Sequence, residues 1–143
     1  MNCTKEEILD VVKKAEKQFG PIDVLFNNAG LSKPGMFLDD DALQVAKDNM
    51  ELNYFGAFKI VHTIGQRLAS RGKGRICLVG SVCSFASFPG YAGYAASKFA
   101  LRALSDSMNH EFGSKGVKCH MFLPGSIDSP GFIEENKTKP DVA

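Results

Sequence analysis

Several features that mark particular protein classes are missing from this 143-residue sequence. Tryptophan is absent, and no apolar stretch approaches the roughly 18 residues that span a bilayer. The start, MNCTKEEILD, is polar and lacks the apolar segment of a secretion signal. We therefore expect a chain that, as given, is neither secreted nor membrane-spanning and is soluble in the cytoplasm.

Metal-binding and nucleic-acid-binding patterns are also lacking. Cys3, Cys77, Cys83 and Cys119 show no CxxC spacing, and the three histidines lie far apart. We expect reduced thiols and no metal site. The 17 basic residues balance 16 acidic ones without any basic block, so no nucleic-acid surface is expected.

The first clear pattern in the chain is an amphipathic helix. A T-x-x-E capping box at residues 4–7 starts it, and Gly20-Pro21 ends it. The apolar residues at helical spacing between these limits are Ile8, Val11, Val12, Ala15 and Phe19.

Strands and long helices then alternate along the chain. Short apolar segments predict strands at 23–27, 75–81 and 117–123. Helical patterns cover 40–70 and 91–112. Three aspartates, residues 39–41, stand at the start of the first helix and complement its dipole. Long crossovers between strands favour right-handed connections and parallel pairing. The predicted fold class is α/β, with a parallel sheet covered by helices on both faces.

The turns after the three predicted strands are rich in glycine and small polar residues: NNAG, GSVCS and PGSIDS. In open parallel sheets, ligands bind beyond the carboxyl ends of the strands. Each turn alone is compatible with a purely structural role. Together they predict a ligand site at this edge of the sheet.

Tyr94 and Lys98 stand four residues apart near the start of helix 91–112, on one helix face. Ser81 ends the preceding strand, and Asn53 places a polar amide within an apolar part of helix 40–70. Tyr91 has no lysine four residues later, so we interpret it as a packing residue. We interpret two other residues, Ser84 and Ser97, as cap or surface hydroxyls.

In order and spacing, NNAG, Asn53, Ser81, Y-x-x-x-K and PG resemble the short-chain dehydrogenase/reductase family across essentially the whole chain. The resemblance implies a partial Rossmann-like, doubly wound sheet and a catalytic set of Asn53, Ser81, Tyr94 and Lys98. Tyr94 would be the proton donor, and Ser81 would hydrogen-bond the substrate oxygen. A nearby ammonium lowers a phenol pKa, so Lys98 is expected to lower that of Tyr94. By resemblance Lys98 also holds the nicotinamide ribose, and Asn53 anchors a water linked to Lys98.

The family's glycine-rich T-G-x-x-x-G-x-G turn is absent from this sequence. The resemblance therefore implies that residues 1–143 are the central and catalytic part of a single domain, without the dinucleotide-binding half and the last strand. The cofactor-contacting residues that it implies are Asn28, Ala29, Gly30, Tyr94, Lys98, Pro124, Gly125, Ile127 and Ser129.

Residues 129–140, SPGFIEENKTKP, are similar to the segment that follows the catalytic core in 3-ketodihydrosphingosine reductases. This resemblance implies NADPH as cofactor, a long-chain sphingoid-base ketone as substrate, and a full-length protein at the cytosolic face of the endoplasmic reticulum membrane. Gly80 and Gly125 depart from the serine and proline frequent in that group. Glu134 and Glu135 are interpreted either as facing the substrate's ammonium or as exposed acids of a capped helix.

Two other functions remain open. The chain is alternatively part of another NAD(P)-dependent short-chain oxidoreductase, or a truncated, non-catalytic module that binds a partner. The helices 40–70 and 91–112 resemble the pair through which family members form homodimers or homotetramers. An acyltransferase using Ser81 as nucleophile lacks both a G-x-S-x-G elbow and a histidine partner.

Overall fold

Helices and strands alternate in the computed structural model, which describes residues 3–140. The main elements in chain order are α1 (Lys5–Phe19), β1 (Val24–Asn27), α2 (Ala42–Met50), α3 (Ala57–Arg71), β2 (Gly74–Val79), α4 (Ala92–Phe112), β3 (Val117–Phe122) and α5 (Pro130–Thr138). A π-helical turn, Glu51–Gly56, joins α2 to α3, and 3-10 turns occupy Val82–Ser84 and Gly113–Lys115. The predicted α/β class is confirmed.

The capping box predicted for α1 is present. The Glu7 amide donates to Thr4 Oγ1 at 3.2 Å, and the Thr4 amide donates to Glu7 Oε2 at 2.8 Å. The predicted apolar face is only partly buried, because α1 packs against α3 along a narrow stripe. Val12 is buried, whereas Val11 and Phe19 are 66% and 79% exposed.

The three strands form a parallel sheet in the order β1-β2-β3. Each crossover moves one strand further in the same direction, and crossovers of the usual right hand then place the connecting helices on the same face. That face contributes its apolar side chains to one core, including Leu25, Ile76, Leu78, Val117 and Cys119.

The other face of the sheet is open within residues 3–140. Val24, Phe26 and Phe122 on this face are 48%, 70% and 56% exposed. The expectation of helices on both faces is therefore not met by the described part of the chain. The crossovers that it contains all run in one direction, so they supply helices to one face only.

The long helix predicted over 40–70 is not uniform. It begins at Ala42, directly after the three aspartates, and Asp39 instead accepts a hydrogen bond from the Met36 amide at 2.8 Å. Asn53 lies in the π-helical turn in its middle. No helix within residues 3–140 is long and apolar enough to cross a membrane.

Candidate active site

The residues predicted at the strand ends meet around two adjoining cavities. The first, of about 430 Å³, is lined by Ser81, Tyr94, Pro124, Gly125 and Ile127 among others. The second, of about 490 Å³, is lined by Gly30, Tyr94, Lys98 and Ser129 among others. Tyr94 lines both cavities and therefore lies where they meet.

Two predicted cofactor contacts do not line either cavity. Asn28 and Ala29 are exposed residues of the loop that follows β1. Only the next residue of the NNAG sequence, Gly30, reaches the second cavity. The NNAG turn therefore approaches the site through one glycine, while its first residue, Asn27, is buried at the end of β1.

Tyr94 is partly buried on the first turns of α4, with its ring facing Lys98. The Lys98 ammonium nitrogen lies 5.6 Å from the centre of the Tyr94 ring. Burial raises the pKa of Tyr94, and the Ser81 side chain partly offsets this effect. The expected lowering of the Tyr94 pKa by Lys98 is not found, because removal of the phenol from water outweighs the favourable contacts.

Lys98 is 5% exposed and donates a hydrogen bond to the Val79 carbonyl at 3.1 Å. No carboxylate within residues 3–140 forms an ion pair with it. Burial therefore lowers the pKa of Lys98 to about 8. Two of its three N–H groups remain available for a ligand in the second cavity.

Ser81 is oriented by the short turn that follows β2. Its Oγ accepts from the Cys83 amide at 3.2 Å, and its own amide donates to Ser84 Oγ at 3.3 Å. Because the Ser81 oxygen acts as acceptor here, its hydroxyl proton is free to point into the first cavity. Ser84 is fully buried and its Oγ caps this turn, so of its two interpretations the cap is confirmed and the surface hydroxyl is wrong.

Asn53 holds together the loop after β1 and helix α4. Its Oδ1 accepts from the Leu31 amide at 2.8 Å, and its Nδ2 donates to the Leu31 carbonyl at 2.8 Å and to Ser97 Oγ at 2.9 Å. Ser97 in turn donates to the Tyr94 carbonyl at 2.7 Å and is fully buried. Ser97 is therefore a core bridge between Asn53 and Tyr94, not a surface hydroxyl.

Asn49 makes the same kind of contact one helical turn earlier, which sequence reasoning missed. Its Oδ1 accepts from the Lys33 amide at 3.2 Å, and its Nδ2 donates to the Lys33 carbonyl at 2.9 Å. The two asparagines thus clamp alternate residues of one extended loop. Their spacing of four residues in NMELN is the signal that would have indicated this pair.

The second cavity fits a polar ligand that lies close to the backbone. A Cβ atom added to Gly30 would lie 3.0 Å from Asn53 Oδ1 and 3.5 Å from Lys98 Nζ, so only glycine leaves this space open. The Ser32 hydroxyl also lines this cavity and is buried without a hydrogen-bond partner among the described residues. Together with the free donors of Lys98, this set fits the hydroxyls of a ribose.

Gly80 and Gly125, the two residues that depart from the pattern of 3-ketodihydrosphingosine reductases, differ in how much space surrounds them. A Cβ at Gly80 would lie 2.4 Å from Met121 Cε and 2.8 Å from Leu123 Cδ2. A side chain at position 80 would therefore clash with these two large residues, on β3 and just beyond it. A Cβ at Gly125 would meet no atom within 4 Å. Glycine is thus favoured by packing at position 80 and not required by packing at position 125.

The segment after β3 forms a capped helix, α5. The Phe132 amide donates to Ser129 Oγ at 3.2 Å, and Pro130 occupies the first turn. Glu134 is exposed and pairs with Lys137 at 2.6 Å. Glu135 instead turns inward and accepts a hydrogen bond from the Tyr91 hydroxyl at 2.6 Å. The two acids therefore have different surroundings.

A family model described as short chain dehydrogenase matches residues 1–140. The chain belongs to this family. Among curated relatives, it is 36% identical to a 3-dehydrosphinganine reductase of Danio rerio, over 94% of this chain and 40% of that protein. It is 35% identical to a 3-ketodihydrosphingosine reductase of Dictyostelium discoideum, over 96% of this chain and 41% of that protein. The chain thus spans about 40% of the length of these relatives.

Solved structures of short-chain dehydrogenases have the same fold. A gluconate 5-dehydrogenase from Burkholderia cenocepacia, in complex with NADP and tartrate, matches with a TM-score of 0.80 and 26% identity, covering 94% of this chain and 51% of that one. An NAD⁺-bound xylitol dehydrogenase matches with a TM-score of 0.84 and 26% identity, with the same coverage of 94% and 51%. The fold prediction of a partial Rossmann-like sheet is confirmed.

Proposed function

We propose that this chain carries the catalytic centre of an enzyme that reduces 3-ketodihydrosphingosine to dihydrosphingosine with NADPH, in sphingolipid biosynthesis. The observation that carries this proposal is the position of Tyr94 between two cavities, one lined by Ser81 and the other by Lys98 and Gly30. The names of the relatives support the substrate. The preference for NADPH rests on the resemblance alone.

The site residues divide the chemistry of carbonyl reduction between them. A bound nicotinamide cofactor supplies the hydride for the carbonyl carbon. The Ser81 hydroxyl donates a hydrogen bond to the carbonyl oxygen, where negative charge develops. The Tyr94 phenol delivers a proton to the same oxygen. Burial raises the pKa of Tyr94, so the phenol is protonated near neutral pH but is a weaker acid than a tyrosine in water.

Lys98 and Asn53 support this chemistry from the second cavity. Lys98 uses one N–H for the Val79 carbonyl and offers the others to ribose hydroxyls. Asn53 fixes the loop at Leu31 and, through Ser97, the backbone of Tyr94. By family resemblance, Asn53 also anchors a water that connects Lys98 to solvent. The loop after β1, Pro124, Gly125, Ile127 and Ser129 would contact the nicotinamide end of the cofactor.

In the whole protein, we place residues 1–143 in the central and catalytic part of one domain, at the cytosolic face of the endoplasmic reticulum membrane. The protein is proposed to form a homodimer or homotetramer through α2, α3 and α4. A groove of about 450 Å³ between α3 and α4, lined by Phe58, Leu104 and Met108 among others, supports this interface. Phe58 is 42% exposed there, as expected for a residue that a second subunit covers.

Another short-chain oxidoreductase activity is the second candidate. The solved structures at 26% identity include a gluconate and a xylitol dehydrogenase, whose substrates are small and polar. A panel of sphingoid ketones, sugar acids and polyols, assayed with NADPH and NADH, separates these functions. A non-catalytic binding module would bind neither cofactor and would still self-associate.

The replacement Tyr94→Phe tests the proposed mechanism. It removes the proton donor while keeping the ring, and we expect kcat for 3-ketodihydrosphingosine to fall by about 10²- to 10⁴-fold with little change in KM. The matched control is Tyr54→Phe, since Tyr54 lines neither of the two cavities. Steady-state kinetics of the protein at its natural length measure both. Retention of full activity in Tyr94→Phe would overturn the assignment.

A further inference from the structure

Glu135 occupies a distinctive position because it lines both cavities that meet at Tyr94. It is the carboxylate that lines the cavity containing Ser81, as far as residues 3–140 describe it. The neighbouring acid, Glu134, lines only the second cavity and is paired with Lys137. A negative group therefore faces the place where a carbonyl substrate would meet Ser81 and Tyr94.

Tyr91 fixes the orientation of this carboxylate. The Tyr91 hydroxyl donates to Glu135 Oε1 at 2.6 Å, the short distance of a charge-assisted hydrogen bond. Tyr91 is itself 7% exposed at the start of α4, and its ring packs edge-on against Tyr94 at 6.0 Å between centres. Glu135 is thus tied to the same helix end that carries Tyr94, even though it comes from α5.

The carboxylate is fixed but not neutralised. Lys139 lines the same cavity, yet its ammonium lies over the Tyr91 ring, 6.0 Å from the centre, and forms no ion pair with Glu135. Lys98 faces the second cavity and is bonded to Val79. Since a partly buried charge without a counter-charge is costly, a cationic group of a ligand would be favoured beside Glu135.

Apolar side chains surround the rest of this cavity. Val82, Phe88 and Ile127 line it and are 47%, 48% and 56% exposed. These side chains would lose contact with water against an alkyl chain. One cavity thus combines a single carboxylate, the Ser81 and Tyr94 hydroxyls, and an apolar wall.

We propose that Glu135 determines substrate specificity by receiving an ammonium group next to the reacting carbonyl, and that Tyr91 is the positioning residue that holds it. The proposal rests on the proposed function, since it concerns the substrate of the same site. Of the two acids of α5, the proposal assigns the contact with the ammonium group to Glu135. Glu134, which is paired with Lys137 and does not line the cavity containing Ser81, has no part in it.

A binding experiment on the protein at its natural length tests this assignment. The probes are dihydrosphingosine and the same long-chain diol without its amino group, titrated by calorimetry with NADP⁺ present. We expect the wild-type protein to bind the amine about 10- to 100-fold more tightly than the diol, the effect of one hydrogen bond to a charged group. Glu135→Gln keeps an acceptor for Tyr91 but removes the charge, so it should abolish this ratio. Glu134→Gln is the matched control and should keep it.

Tyr91→Phe distinguishes positioning from a structural role. It should reduce the preference for the amine without removing it, because Glu135 stays charged but loses its fixed orientation. A lysine variant, Lys139→Gln, should leave the preference intact or increase it. Equal affinity of the wild-type protein for both probes, or an unchanged ratio in Glu135→Gln, would overturn the proposal.

Turnover separates this proposal from the proposed function. With 3-ketodihydrosphingosine, Glu135→Gln should mainly raise KM, because the ammonium contact is present before and during reduction. A protein that prefers the amine but does not reduce 3-ketodihydrosphingosine would refute the proposed reductase function and support the Glu135 site. A protein that reduces 3-ketodihydrosphingosine but shows no preference for the amine would support the reductase function and refute the Glu135 site.

Discussion

Lys98 is a buried ammonium with one hydrogen bond, to the Val79 carbonyl, and its pKa is lowered to about 8 by burial. The ordinary lysine pKa is about 10.4. Between these two pH values the unfolded chain binds more protons than the folded one, so stability rises with pH through this window. Below pH 8 the folded protein carries the full cost of the buried charge. A site that holds an unpaired cation at this cost is consistent with a functional role.

The replacement Lys98→Met tests this electrostatic cost. Without added cofactor, we expect the variant to have a free energy of unfolding about 1–3 kcal/mol higher than the wild-type protein at neutral pH, because it no longer buries a charge. The gain is limited to this range because the Val79 carbonyl loses its hydrogen-bond donor. The difference should shrink as the pH rises from 8 towards 10. Denaturant unfolding across this pH range measures it. A variant that is less stable at every pH would show that the lysine contributes packing rather than strain.

Sequence reasoning found some site residues and missed others for a physical reason. Tyr94 and Lys98 follow from local spacing, because a helix places residues four apart on one face. Ser81 follows from its place at the end of a predicted strand together with the family resemblance. Ser32 and Ser97 acquire their positions from contacts with distant parts of the chain, 44 residues away in the case of Ser97 and Asn53. No local pattern marks such residues.

Among the elements, α2 and α4 approach each other unusually closely where α4 begins. A Cβ added to Gly93 would lie 2.6 Å from the Ala46 Cα and 3.2 Å from its nitrogen. These are backbone atoms, which cannot move aside without shifting a helix. The absence of a side chain at Gly93 therefore determines how Tyr94, the next residue, is placed against the rest of the site.

The replacement Gly93→Ala should destabilise the protein by about 1–3 kcal/mol, the usual cost of overpacking. The control is Gly113→Ala, because φ at Gly113 is −55° and a Cβ there meets nothing within 4 Å. Alanine at that position should be neutral or slightly stabilising. Thermal unfolding of the two variants gives the comparison. Equal stabilities would contradict the close helix contact.

At the scale of the whole molecule, the open sheet face and the free edge of β1 dominate the behaviour of residues 1–143. Phe26 and Phe122 are more than half exposed on that face. On its other side, β1 has no neighbouring strand within the described residues. Exposed apolar surface next to an unpaired strand edge favours association between chains.

We therefore expect residues 1–143, expressed by themselves, to self-associate in a concentration-dependent manner. Sedimentation velocity over a tenfold range of concentration should show species larger than the 15.5 kDa monomer. The double replacement Phe26→Lys and Phe122→Lys should reduce the association that involves the open face, while circular dichroism confirms that the helices persist. A stable monomer at all concentrations would contradict the prediction.

The sequence by itself determined the α/β class, the capped start of α1, the order of the elements and the identity of Tyr94 as the tyrosine paired with a lysine. These properties depend on short-range spacing, which is present in the sequence. Only the tertiary structure decided that the helices cover one face of the sheet, that burial raises the Tyr94 pKa, and that Glu135, and not Glu134, lines the cavity containing Ser81. Burial and long-range contacts exist only after the chain has packed, so no local pattern contains them.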